Sequence, residues 1–218
     1  MSTELRQIIE GVLLVVAALF PIVNPLGGAP IFLSMTSGYT PEERASLAWR
    51  VTVNSFVLLV ASVATGTYVL EFFGLSVPVV QVAGGLVVSA IGWRLLDDPT
   101  TSEKASAATT PPRRNVAFYP LTLPLTVGPG SISVAITIGA FRPDSVRSLL
   151  TSIPATLIGV TLVSASVFVA YRYADRLSRV IGETGMAVLL RLTAFILLCI
   201  GVQIFWNGAS ALLRTLPG

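Results

Sequence analysis

FPIVNPLGGAPIF, residues 20–32, sets three prolines and two glycines inside an otherwise apolar run. YPLTLPLTVGPGSIS, residues 119–133, does the same about half a chain later. Helix breakers are costly in lipid, because each freed backbone group has no water to bond. They persist where the chain lines a cavity inside the protein. Matched interruptions in two halves of a membrane chain point to a transporter's substrate site.

The surrounding composition puts the chain in a membrane. Mean hydropathy is +0.80. Charged residues make up 11% and apolar residues 53%, where a soluble domain carries roughly 25% charged. The longest polar stretch, residues 94–115, is too short to be a soluble domain. A net charge of +3 and a pI near 9.4 point to loops facing an anionic leaflet, with no nucleic acid as partner. The single cysteine, Cys199, excludes an intramolecular disulfide and reads as a small hydrophobe. Glu4 and Glu10 spoil the positive region that a signal peptide would need around Arg6, so cleavage is not expected.

A helix needs about 20 apolar residues to cross a bilayer. Six segments qualify: 8–35, 51–70, 77–93, 116–140, 149–171 and 185–213. The first would be ~42 Å long at about 1.5 Å per residue, against a hydrocarbon core of ~30 Å. That is too long for one straight span and too short for two, so a broken or re-entrant element is expected. Nine basic residues lie in the first, third and fifth loops, among them Arg44, Arg94, Lys104 and Arg172. Four, namely Arg6, Arg142, Arg147 and Arg214, lie on the other side. The richer side should be cytoplasmic, which puts both termini outside.

The halves resemble each other. Asn24-Pro25 aligns with Gly128-Pro129, and Ile91-Gly92 with Ile200-Gly201. GLSVPVVQVAGG, beginning at Gly74, is similar to GETGMAVLLRLTA, beginning at Gly182. Each half then has three spans, the first of them broken. Three is odd, so the second copy enters from the opposite side and the repeats are inverted. The expected fold is an all-α membrane protein with six transmembrane helices. Residues 1–96 form the first repeat, 97–115 a flexible cytoplasmic linker rich in Ser, Thr, Ala and Pro, and 116–218 the second repeat.

Three strings carry a family resemblance: N-P-x-G-x-x-P-I-F-L-S-x-T at residues 24–36, P-L-x-x-P-L-x-x-G-P-G-S-I at 120–132, and Arg191 followed by Gln203 in the last span. In these the chain resembles the MarC family of six-span bacterial and archaeal membrane proteins, over nearly its whole length. That family is similar to the LysE-type exporters in span count and repeat plan. The resemblance implies a transporter in the cell inner membrane; some relatives are taken to carry small neutral amino acids. Gly27-Gly28 is more glycine-rich than the motif requires.

The residues themselves suggest how a ligand would be held. Pro25 and Pro129 suit the first position of a restarting helix. The following N–H groups, of Gly27 and Gly28 and of Gly130 and Ser131, would then point free into the break. A helix N-terminus carries about half a positive charge, so a carboxylate is the natural guest. Asn24 and Thr126 can add side-chain hydrogen bonds, and Gly128 shapes the second break. Arg191 is the one charged residue well inside a span. Either its guanidinium snorkels or pairs with backbone carbonyls, or it joins the site.

The expected substrate is a small zwitterion or monocarboxylate, above all a neutral amino acid, moved by alternating access. No cofactor or metal is expected, and oligomeric state is not readable. A channel is the alternative, since half-helix ends also set channel selectivity. An enzyme is disfavoured: the chain has no histidine, one cysteine and no acid deep in a span. The same inventory disfavours a proton relayed by a buried acid.

Overall fold

The computed structural model describes residues 3–97, 116–140 and 146–214, and every element among them is helical. Helix α1 covers Thr3–Val23 and α2 covers Pro25–Met35. They are followed by α3, Pro41–Phe72, and α4, Val77–Asp97. A wide coil, Ala117–Thr126, leads to α5, Pro129–Ala140. Helices α6, Val146–Arg172, and α7, Ala174–Leu213, complete the chain. Beyond Asp97, the linker expected at 97–115 lies outside the described residues.

Local chemistry sets the ends. Helix α3 starts at a capping box: Glu43 N–H donates to Thr40 Oγ1 at 3.3 Å, and Thr40 N–H to Glu43 Oε2 at 2.9 Å. It stops at Gly74, which takes φ +67°. There Leu75 N–H reaches Leu70 O at 2.8 Å and Gly74 N–H reaches Glu71 O at 3.0 Å, the Schellman arrangement that ends a helix through a left-handed residue. Helix α7 is interrupted once, at Gly182, with φ 72° and ψ 171°. The last apolar run in the sequence begins at residue 185, just past that kink.

Five helices are long and apolar enough to cross a membrane, or six counting a bent pair, among the described residues. Their outer faces are as apolar as the core. Leu13, Leu14, Val57, Leu86, Leu162, Val188 and Trp206 point outward, while Val15, Leu19, Val51, Leu59, Val160 and Val167 are buried. In water such an exterior would be a large unsatisfied apolar surface; in lipid it is the expected one.

The two breaks differ. The first element is broken as expected, at the left-handed Asn24 between α1 and α2, but the two helices stay within one apolar span, Glu4–Met35. Asn24 interrupts it without ending its ladder, because Asn24 N–H donates to Phe20 O and Gly28 N–H to Asn24 O, each at 2.9 Å. The second is a true break, with Ala117–Thr126 and α5 meeting at 72°.

Helix α4 lies along α7, and small residues let the backbones approach. A Cβ at Gly92 would meet Leu198 N at 2.6 Å and Ala194 O at 3.0 Å. At Gly201 it would meet Ser89 N, and Gly85 O at 2.9 Å. Helices α1 and α2 pack on α6; the wide coil and α5 pack on α3. Helix α5 also packs on α4, and α2 on α7.

Candidate functional site

At the first break Asn24 takes a left-handed conformation, φ 50° and ψ 61°. Asn reaches this region more readily than most residues. Its Oδ1 accepts from Gly27 N–H at 3.0 Å, so its side chain caps α2 while Pro25 occupies the first turn. The expectation that the Gly27 and Gly28 amides point free is therefore corrected. Gly27 bonds the Asn24 side chain, and Gly28 the Asn24 carbonyl. Asparagine closes the break on itself.

Gly28 does not face open space either. A Cβ there would lie 2.5 Å from the Tyr171 hydroxyl. Tyr171 comes from the end of α6, is fully buried, and stacks on Phe32 with centroids 4.6 Å apart and planes 16° from parallel. Its hydroxyl lies 2.9 Å from Thr126 Oγ1. Thr126 already donates its one hydroxyl proton to Leu121 O at 2.7 Å, so Tyr171 is the donor of the pair.

The wide coil carries Pro120 and Pro124, which bring no N–H. Its amides reach five residues back, Leu121 N–H to Val116 O at 3.3 Å and Val127 N–H to Thr122 O at 2.8 Å. Threonine hydroxyls add donors: Thr122 Oγ1 to Ala117 O at 2.6 Å, and Thr126 Oγ1 to Leu121 O. This satisfies an irregular backbone away from water.

Helix α5 restarts after Gly128 with Pro129 in its first position. Ile132 N–H is the first to close an α-turn, onto Gly128 O at 3.1 Å, and Ser131 Oγ donates to the same carbonyl at 2.9 Å. The Gly130 and Ser131 amides precede that ladder, as the opening amides of any helix do. Gly130 is packed tightly: a Cβ there would run into the Val88 side chain of α4.

Both breaks face one cavity of about 350 Å³, within the range of small-molecule sites, roughly 300–1,000 Å³. Asn24, Gly27, Gly28, Thr126, Gly128, Gly130 and Ser131 line it. Pro25 and Pro129 shape the turns without lining it, and Arg191 is exposed on α7 and lies outside it. The far wall is apolar, with Val88 and Ile91 from α4 and Leu190 and Leu197 from α7.

Two residues that sequence reading did not single out matter here. Arg94 lines the cavity and is exposed at its mouth. The apolar stretch stops at Trp93, which puts Arg94 in a loop by hydropathy, whereas α4 continues to Asp97. The available signal was its spacing, three residues after Ile91 and so on a neighbouring part of the same helix face. Tyr171 marked only the end of the fifth span; its contact with Thr126 joins residues 45 apart and leaves no trace in local pattern.

Comparison with known proteins places the chain among its relatives. The profile described as "MarC family integral membrane protein" matches residues 9–213. The inner membrane protein MarC of Escherichia coli K12 is 30% identical over 205 residues, covering 90% of this chain and 93% of that protein. Its counterpart in Shigella flexneri matches at the same identity and coverage. No solved structure matches.

Proposed function

The chain belongs to the MarC family of integral membrane proteins, and from that we propose that it is a secondary transporter of small polar metabolites. Neutral amino acids are the favoured cargo. The observation that carries this reading is that two proline–glycine breaks, about a hundred residues apart, line one cavity. Broken helices around a shared site are a recurring transporter design.

We read the chain as two inverted repeats, 1–96 and 116–218, and the packing supports this. A shift of 109 positions carries Gly92 to Gly201, and carries Leu198 and Ala194 back to Ser89 and Gly85. Those are the partners the two glycines meet, nitrogen for nitrogen and oxygen for oxygen. Exchanging the halves also turns the α1–α2 contact with α6 into that of the coil and α5 with α3, and the α4–α5 contact into that of α7 with α2. With the positive loops cytoplasmic, both termini lie outside the cytoplasm and the chain acts in the cell inner membrane.

Alternating access then moves the α4–α7 pair against the other helices, with the substrate held between them. The test is uptake into proteoliposomes of the purified chain. Labelled alanine should enter saturably and faster when the lumen is preloaded with unlabelled alanine. Uptake linear in concentration, with no counter-exchange, would favour a channel and overturn the carrier reading.

A further inference from the structure

We propose that Arg94 is the residue that selects a carboxylate in the cavity, so that the site takes carboxylate-bearing solutes and rejects amines that lack one. The inference rests on the transporter reading and names the chemistry of its site. Arg94 is the only charged side chain among the described residues that line the cavity, and no Asp or Glu joins it there. It also has no ion-pair or hydrogen-bond partner among the described residues, whereas Arg44 and Arg6 are each paired. A guanidinium at the mouth of a cleft with apolar walls attracts anions into it and offers a fork that matches a carboxylate.

The polar atoms deeper in the cavity complete the picture. Asn24 lines the cavity, and its Oδ1 is occupied by Gly27 N–H, which leaves Nδ2 as its donor. Ser131 Oγ donates to Gly128 O, which leaves its lone pairs as acceptors. A carboxylate can therefore be met by donors, and a neighbouring ammonium or hydroxyl by a neutral acceptor. An added cationic side chain finds no counter-charge. The competing role for Arg94 is that of a cation in the last turn of α4, complementing the helix carbonyls there. That role would move thermal stability but not substrate preference.

The experiment measures uptake of labelled alanine by the full chain in proteoliposomes, with unlabelled lactate and alaninamide as competitors, for wild type, Arg94→Gln and Arg94→Lys. Lactate has the carboxylate without the amine, and alaninamide the amine without the carboxylate. Lactate should compete and alaninamide should not. Arg94→Gln should raise KM for alanine at least about tenfold, the size expected for loss of a charged hydrogen bond, and should abolish competition by lactate. Arg94→Lys should lose less, since the charge remains without the fork. Thermal unfolding of each variant checks that it is folded, as expected for a change at an exposed position. If wild type moves alanine but Arg94→Gln keeps its KM, or alaninamide competes as well as lactate, this inference falls and the transporter reading stands. If wild type shows no saturable alanine uptake, both fall.

Discussion

The Tyr171 hydroxyl donates to Thr126 Oγ1 across 2.9 Å, joining the end of α6 to the last residue of the wide coil. The same hydroxyl fills the space beside Gly28 in α2. One buried side chain thus touches both interrupted elements. Tyr171→Phe should keep the stack on Phe32 and lose only this bond, for about 0.5–1.5 kcal/mol of stability. Tyr171→Ala should cost about 3–5 kcal/mol, because it empties a packed aromatic site. Chemical unfolding in detergent reads both; equal losses for Phe and Ala would remove the packing role assigned to the ring.

Gly28 and Tyr171 should be energetically coupled. Gly28→Ala places a methyl against the hydroxyl and should cost about 1–3 kcal/mol through overpacking. In the Tyr171→Phe background the nearest atoms are ring carbons at 3.2 and 3.3 Å, so the same substitution should cost less. A double-mutant cycle measures the difference. Additive effects would show that the space at Gly28 is not set by Tyr171.

Arg44 grips Asp175 with Nη1 at 2.8 and 2.7 Å from the two carboxylate oxygens, and donates through Nε to Thr36 O at 3.0 Å. This ties the end of α2 and the start of α3 to the first turn of α7. The side chains are 19% and 45% exposed, so solvent screening limits the pair to about 1 kcal/mol. Asp175→Asn should lower stability by about that amount, and less in high salt. A loss unaffected by salt would argue against an electrostatic contribution.

The proposed orientation rests on the loop charges. In a Cys199→Ala background, Ser37→Cys between α2 and α3 should react with an impermeant maleimide only from the cytoplasmic side. Ser76→Cys between α3 and α4 should react only from outside. Both positions are exposed. The reverse pattern would invert the topology and place the termini in the cytoplasm.

Much of this architecture was legible in the sequence because lipid imposes simple rules. Long apolar runs must be helices, and prolines and glycines inside them must be accommodated by protein. Hence the breaks at Asn24 and Gly128 could be read directly. The state of each break could not. Whether the amides after Pro25 stay free depends on one side-chain rotamer, that of Asn24, which turns back to cap Gly27. Whether Gly28 or Gly130 faces a ligand or a neighbour depends on Tyr171 and Val88, which arrive from distant helices. Arg94 is not legible as a cavity residue, because hydropathy ends a span where charge begins while the backbone goes on helical.

We propose that substrate occupies the cavity where the two breaks meet. Gly128 lines it, and a Cβ there would meet only Pro124 O, at 3.3 Å, so a small side chain can be carried with slight adjustment. The direct measurement is the rate at which a small methanethiosulfonate reagent modifies Gly128→Cys, in the Cys199→Ala background, with and without saturating alanine. Alanine should slow modification at least about tenfold, as a ligand filling the site at high occupancy must, and modified protein should no longer take up alanine. Modification at an unchanged rate in a protein that still transports alanine would place the substrate path elsewhere.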